Sequence, residues 1–158
     1  MLTKYVQISL SKCRGDKMNL AVIYYTKLGH SKKIAQATAD ELGVKTQDIR
    51  ENPQIKNIDK LYIVSGIYGG KSAPELLEYL RGLDSNQVKQ AVLLTSSGGK
   101  TTRAADVRAV LTEIGIPVAE EEFTCQGAIF LFGMGHPNNT DIQNAIQFVQ
   151  KTAQKTAP

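Results

Sequence analysis

Three short blocks of this chain are apolar without interruption: residues 20–23 (LAVI), 61–64 (LYIV) and 91–94 (AVLL). A strand with one wet face would alternate, so an unbroken run reads as a strand covered on both faces. Between the blocks the apolar period changes. Over residues 32–42, Ile34, Ala35, Thr38, Ala39 and Leu42 recur at helical steps, with Gly43 placed to end the helix. Leu76, Leu77, Leu80 and Leu83 form a second such face after Ser72-Ala73-Pro74-Glu75. There Ser72 is the expected N-cap, Pro74 falls in the first turn and Glu75 closes a capping box. A third helix is expected from Thr102, with Ala104, Val107, Leu111 and Ile114 inward and Gly115 at its end. A fourth follows the turn at 136–141, with Ile142, Ala145, Ile146 and Val149 inward and a polar tail after Lys151 that is expected to fray. Residues 44–49 read as a weak strand near an edge, 50–59 as a polar loop, and 116–127 as extended chain.

Strands and helices therefore alternate, which predicts an α/β fold: a doubly wound domain on a parallel sheet. The 158 residues suit one such domain, residues 18–158, preceded by an extension, 1–17. Val6, Ile8 and Leu10 alternate there, so the extension is read as a tail or a short edge strand. Ligands of such sheets bind beyond the carboxyl ends of the strands. The loops at those ends, 26–31, 65–72 and 95–100, are all rich in Gly, Ser and Thr. The first passes from a strand through Gly29 directly into a helix. That leaves the helix's first N–H groups aimed outward, with Thr26 and Ser31 adding hydroxyls, which makes an anion site.

Charge narrows the choice of partner. The net charge is +4, of which residues 1–17 carry +3 and residues 18–158 only +1. No Lys/Arg cluster is interleaved with aromatics, so nucleic acid is not an expected partner. No apolar run approaches the ~20 residues that span a bilayer, and the extension lacks the apolar core of a signal peptide. Two cysteines, Cys13 and Cys125, make no disulfide framework. A cytoplasmic location without membrane contact is the expectation. Two His and two Cys without ligand spacing predict no metal site.

Thr26-x-Leu28-Gly29-His30-Ser31 resembles the flavodoxin phosphate loop, T/S-x-T-G-x-T. Ser65-Gly66-Ile67-Tyr68-Gly69-Gly70-Lys71 resembles that family's second flavin loop. Phe123-Thr124-Cys125-Gln126-Gly127, with Gly135-His136-Pro137-Asn138 before a last helix, resembles short flavodoxin-like proteins. The resemblance runs over residues 18–153. It implies five parallel strands in order 2-1-3-4-5 with FMN at the switch point. Thr26, Lys27, Leu28, Gly29, His30 and Ser31 would wrap the phosphate. Ile67, Tyr68, Gly69 and Gly70 would lie beside the flavin ring, and Thr95, Ser96, Ser97, Gly98 and Gly99 along its pyrimidine edge. It further implies electron transfer to a redox partner protein or small acceptor, by a monomer or dimer, with no catalytic side chain. The alternatives are an FMN-dependent NAD(P)H oxidoreductase of quinone-reductase type, with Phe130 to Phe132 helping to build its pocket, and a flavin-free interaction module.

Three features depart from the family pattern. Leu28 replaces a hydroxyl residue, the third loop has no aromatic, and the body lacks the acidic charge usual in flavodoxin carriers. Two other motifs fail. Gly98-Gly99-Lys100-Thr101 would need a glycine at position 94 to be a P-loop, and a phospho-receiver would need an aspartate where Ser65 and Gly66 stand. Cys125 reads as a core thiol, His136 as a turn residue, and Glu120-Glu121-Glu122 as a solvated acidic patch.

Overall fold

The computed structural model describes residues 17–98, 102–127 and 135–155. Its strands are β1 (Leu20–Tyr24), β2 (Thr46–Asp48), β3 (Ile58–Tyr68), β4 (Lys71–Ser72), β5 (Val88–Ser97) and β6 (Phe123–Gln126). Its helices are α1 (His30–Leu42), α2 (Pro74–Arg81), α3 (Ala105–Glu113) and α4 (Asn139–Gln154). The sheet runs β2-β1-β3-β5-β6, all parallel, with the two-residue β4 antiparallel on β3. Counting the five parallel strands alone, this is the expected order 2-1-3-4-5.

The uninterrupted apolar runs are buried on both faces, as the pattern requires. On one face Ala21, Ile23, Leu61, Ile63 and Leu93 pack with Leu76 and Leu80 of α2 and Val107 and Leu111 of α3. On the other, Val22, Val64, Val92 and Leu94 pack with Ile34 and Ala35 of α1 and Ala145 and Val149 of α4.

Several boundaries move, each for a local reason. β3 starts at Ile58, inside the segment read as loop, and carries Lys60 into the core at 1% exposure. The Lys60 ammonium donates to the carbonyls of Thr152 and Lys155 at the end of α4. The last carbonyls of a helix have no partner within it, so a buried cation there closes the helix from the sheet side. This also holds α4 to Gln154, past the expected fraying point. Burial, with Lys155 adding, lowers the Lys60 pKa. Ser72 is not the α2 N-cap. Ala73 holds that position without a side-chain bond, and Ser72 turns instead to Asp106. Only Phe123–Gln126 of the extended 116–127 stretch joins the sheet, apart from one bridge between Val118 and Ala91. Most of the 1–17 extension, Phe130 to Phe132 and Gly99 lie outside the described residues. Among the described residues, no helix is long and apolar enough to cross a membrane.

Candidate functional site

β1 ends at Tyr24, Tyr25 still donates its N–H to the Val64 carbonyl at 3.0 Å, and the chain then leaves the sheet. The Thr26 hydroxyl oxygen accepts the Gly29 N–H at 2.8 Å and closes the loop on itself. Gly29 has φ +83°, a conformation strained for residues with a Cβ, and is followed at once by the first turn of α1. Ser31, buried in that turn, meets the Ser96 hydroxyl at 3.1 Å. The first and third loops are therefore joined directly across the carboxyl end of β3.

The second loop is a tight hairpin. Tyr68 pairs with Lys71 and Ile67 with Ser72, leaving Gly69 (φ +58°) and Gly70 (φ +81°) as the two turn residues. Positive φ at both is the requirement of a type I′ turn. Tyr68 folds back over the strand: a Cβ on Gly66 would meet its hydroxyl at 2.8 Å. The phenol oxygen accepts the Lys27 N–H at 3.0 Å, and the Lys27 ammonium sits 4.9 Å from the ring centroid. Together Thr26, Leu28, His30, Ser31, Gly66, Ile67, Tyr68, Ser96, Ser97, Gly98 and Gly127 line one cleft. Its free volume is about 20 Å³, with the Tyr68 ring lying against its floor. A larger cavity of about 510 Å³ lies between the 52–56 segment and the end of α2, away from the three loops.

The arrangement draws together residues from all three predicted loops. Thr26, Ser31, Ile67, Ser96 and Ser97 are buried, Lys27, Leu28, Gly29, Gly69, Gly70 and Gly98 are exposed, and His30 and Tyr68 are half-buried. Thr95 is buried but turned away from the cleft, its hydroxyl donating to Glu122 at 3.1 Å. Gly66 and Gly127 join the lining without having been singled out as ligand contacts. Their lack of a side chain at a strand end is the signal that marks them: Tyr68 covers one, and a Cβ on the other would lie 3.5 Å from Ser96.

Two acids hold the loops from behind. The Glu122 carboxylate, 1% exposed, accepts from the Thr95 hydroxyl, from the Ala104 N–H at 2.8 Å, and from Arg103 and Arg108 at 3.3 Å each. It is no solvated patch: it ties the third loop to the start of α3. Glu121 does stay outside, paired with Lys151 and Lys155, and their hydrogen bonds bring its pKa down to about 2. Asp106 accepts the Ser72 N–H at 2.8 Å and the Ser72 hydroxyl at 2.7 Å, tying the hairpin to the same helix. Burial works to raise the Asp106 pKa, but these bonds and the Val107 N–H outweigh it and leave the pKa lowered.

The remaining candidates, Cys125 and His136, are not among the residues that line the cleft. Burial, with Asp141 adding, pushes the Cys125 thiol up to about 12, so it is protonated at neutral pH. His136 meets Asp141 at 2.6 Å, and Asp141 also completes a capping box with Asn138 at the start of α4. Among the described residues, no group of His, Cys, Asp or Glu is placed to hold a metal ion.

The family model of the flavodoxin domain matches residues 21–156, and the chain belongs to that family. No curated protein matches it. Among solved structures it is similar to a flavodoxin from the domain Archaea, at 17% identity and TM-score 0.68, over 87% of this chain and 97% of that one. It is also similar to Flavodoxin 2 from Bacillus cereus, at 14% identity and TM-score 0.64, over 86% and 98% of the two chains. A NAD(P)H:quinone oxidoreductase from Methanothermobacter marburgensis is more distant, at 11% identity and TM-score 0.54, over 87% and 96%. At these identities the likeness is one of fold.

Proposed function

We propose that this chain binds FMN across the three loops and serves in electron transfer through it. The observation that carries the reading is the direct joining of the amide-rich start of α1 to the third loop through Ser31 and Ser96. The donors suit the group. Thr26, Ser31 and the amides around Gly29 offer neutral hydrogen bonds to a phosphate dianion at a positive helix end. The departure at Leu28 costs one hydroxyl but no amide. Tyr68 provides an aromatic surface for one side of the ring, with Ile67, Gly69 and Gly70 beside it. Ser96, Ser97, Gly98 and Gly99 would meet the pyrimidine edge, and Thr95 would act through Glu122 rather than by contact.

Bound flavin supplies the one- and two-electron chemistry, and the protein's part is to bind, orient and tune it. Purified protein should be yellow and release FMN on heating. A colourless protein that gains no thermal stability from FMN would sink the reading. Ligand at about 100 times its dissociation constant should stabilise by ~2.7 kcal/mol. Rapid bleaching by NADH or NADPH alone would instead favour the oxidoreductase alternative.

A further inference from the structure

The face that carries the three loops has one dominant sign of charge. Lys27 stands in the first loop, Lys32 and Lys33 in the first turn of α1, and Lys71 on the return limb of the hairpin. All four are exposed, and none pairs with a carboxylate among the described residues. Acids at this end of the sheet are mostly engaged. Asp48 pairs with Arg50, Asp106 takes Ser72 and Asp141 takes His136, while Glu75, exposed, lies against the Tyr25 phenol and faces the four lysines as a single acid. Exposed Glu51 lies beyond the edge strand β2.

Placing Lys32 and Lys33 there works against the fold. The first turn of a helix carries partial positive charge and favours acids, yet this turn of α1 has none. Packing does not require these lysines, since both side chains face water. Leu28, 61% exposed at the lip of the cleft, is the one large exposed hydrophobic residue among those described. An apolar contact inside a rim of one charge is the layout of a docking surface. Complementary charge sets encounter rate and choice of partner more than it sets affinity.

We propose that this face docks an acidic redox protein, with Lys27, Lys32, Lys33 and Lys71 steering it and Leu28 seating it. The proposal rests on the FMN reading, because it places the partner beside the three loops that would hold the flavin.

The test uses the FMN-loaded protein and two haem proteins of opposite charge, acidic cytochrome b5 and basic cytochrome c. Binding is read by calorimetry. Electron transfer is read by stopped flow after dithionite reduction, each reduced flavin giving one electron to each of two ferric haems. Raising ionic strength from about 0.01 M to about 0.15 M shortens the screening length from ~30 to ~8 Å. Cytochrome b5 should then bind and react several-fold more weakly, whereas the cytochrome c rate should rise. The variant K32E/K33E should reverse both trends. The variant K45E/K56E, with the same change in net charge at the amino end of the sheet, should leave them in place. Equal loss in the two variants, or preference for cytochrome c in the parent protein, overturns the proposal. Loss of FMN affinity alone in K32E/K33E, with the salt trends kept, also overturns it. Protein that takes up no FMN overturns the electron-transfer reading and this proposal with it. Protein that takes up FMN and treats both cytochromes alike overturns the docking proposal alone.

Discussion

The phenol oxygen of Tyr68 accepts a hydrogen bond from the backbone N–H of Lys27 at 3.0 Å. One residue of the hairpin thereby uses an amide of the first loop, which is the kind of donor a phosphate would take. Tyr68→Phe keeps the ring and frees the amide. Loss of one such bond should lower stability without ligand by about 0.5–1.5 kcal/mol. FMN would no longer compete with the phenol, so its affinity should rise, by about tenfold at most. Thermal melts and fluorescence titration measure the two effects. A fall in affinity would show that the phenol contacts the ligand directly.

Glu122 offers a second test, because its carboxylate joins Thr95, Ala104, Arg103 and Arg108 while 1% exposed. Glu122→Gln keeps the shape but turns one acceptor into a donor facing other donors. Leaving buried partners unsatisfied should cost about 2–3 kcal/mol, and Glu122→Ala about 3–5 kcal/mol. Both variants should also weaken FMN binding, since the third loop loses its anchor. Denaturant melts with and without FMN check this. Full stability in Glu122→Gln would show that the network contributes little.

The fold was legible because each buried strand carries an unbroken apolar run and each helix an apolar face. The turn from β1 into α1 was legible because Thr26, Gly29 and Ser31, which shape it, are close in sequence. What escaped was long-range polar pairing. Lys60 stands between the polar segment and the apolar run, and nothing near it in sequence points to Thr152 and Lys155, more than ninety positions away, which receive its ammonium. Ser72 has the spacing of a helix cap, but Asp106 offers it a charged acceptor, and such bonds are stronger than a neutral cap. Glu122 sits in a run of three acids, and only its burial against Thr95 and Ala104 shows that it turns inward. Local patterns do not report partners that are brought in by topology.

Gly69 and Gly70 test whether the hairpin needs left-handed backbone rather than space. A Cβ on either would meet nothing within 4 Å, yet their φ values are +58° and +81°. Gly69→Ala and Gly70→Ala should each cost about 1–2 kcal/mol. Gly69→Asn should cost less, because Asn-Gly suits a type I′ turn. Equal losses for Ala and Asn at position 69 would point to a steric cause.

Cys125 is buried, and burial together with Asp141 pushes its thiol up to about 12. The thiolate is the reactive form, so native protein carrying Cys13→Ser should resist iodoacetamide at neutral pH. In denaturant the same protein should react fully, which mass spectrometry can follow. Rapid native alkylation would show that Cys125 is accessible and reactive in the folded protein.

Asp106 predicts a pH dependence with a definite sign. Burial opposes its charge, but the two bonds from Ser72 and the Val107 N–H leave its pKa below the ordinary aspartate value. The unfolded chain therefore binds the proton more readily than the folded one. The stabilisation is fully present above the unfolded value of about 3.9 and is lost as pH falls through the folded value. Asp48, lowered mainly by Arg50, and Asp59, lowered mainly by Lys89, act in the same direction, so the parent protein should lose stability steadily in acid. Asp106→Asn should be weaker by about 1–2 kcal/mol at neutral pH, and the gap should close as pH falls through the folded pKa. Denaturant melts of both proteins at stepped pH measure that gap. A gap that stays constant from neutral to acid pH would mean that Asp106 holds the hairpin by shape and not by charge.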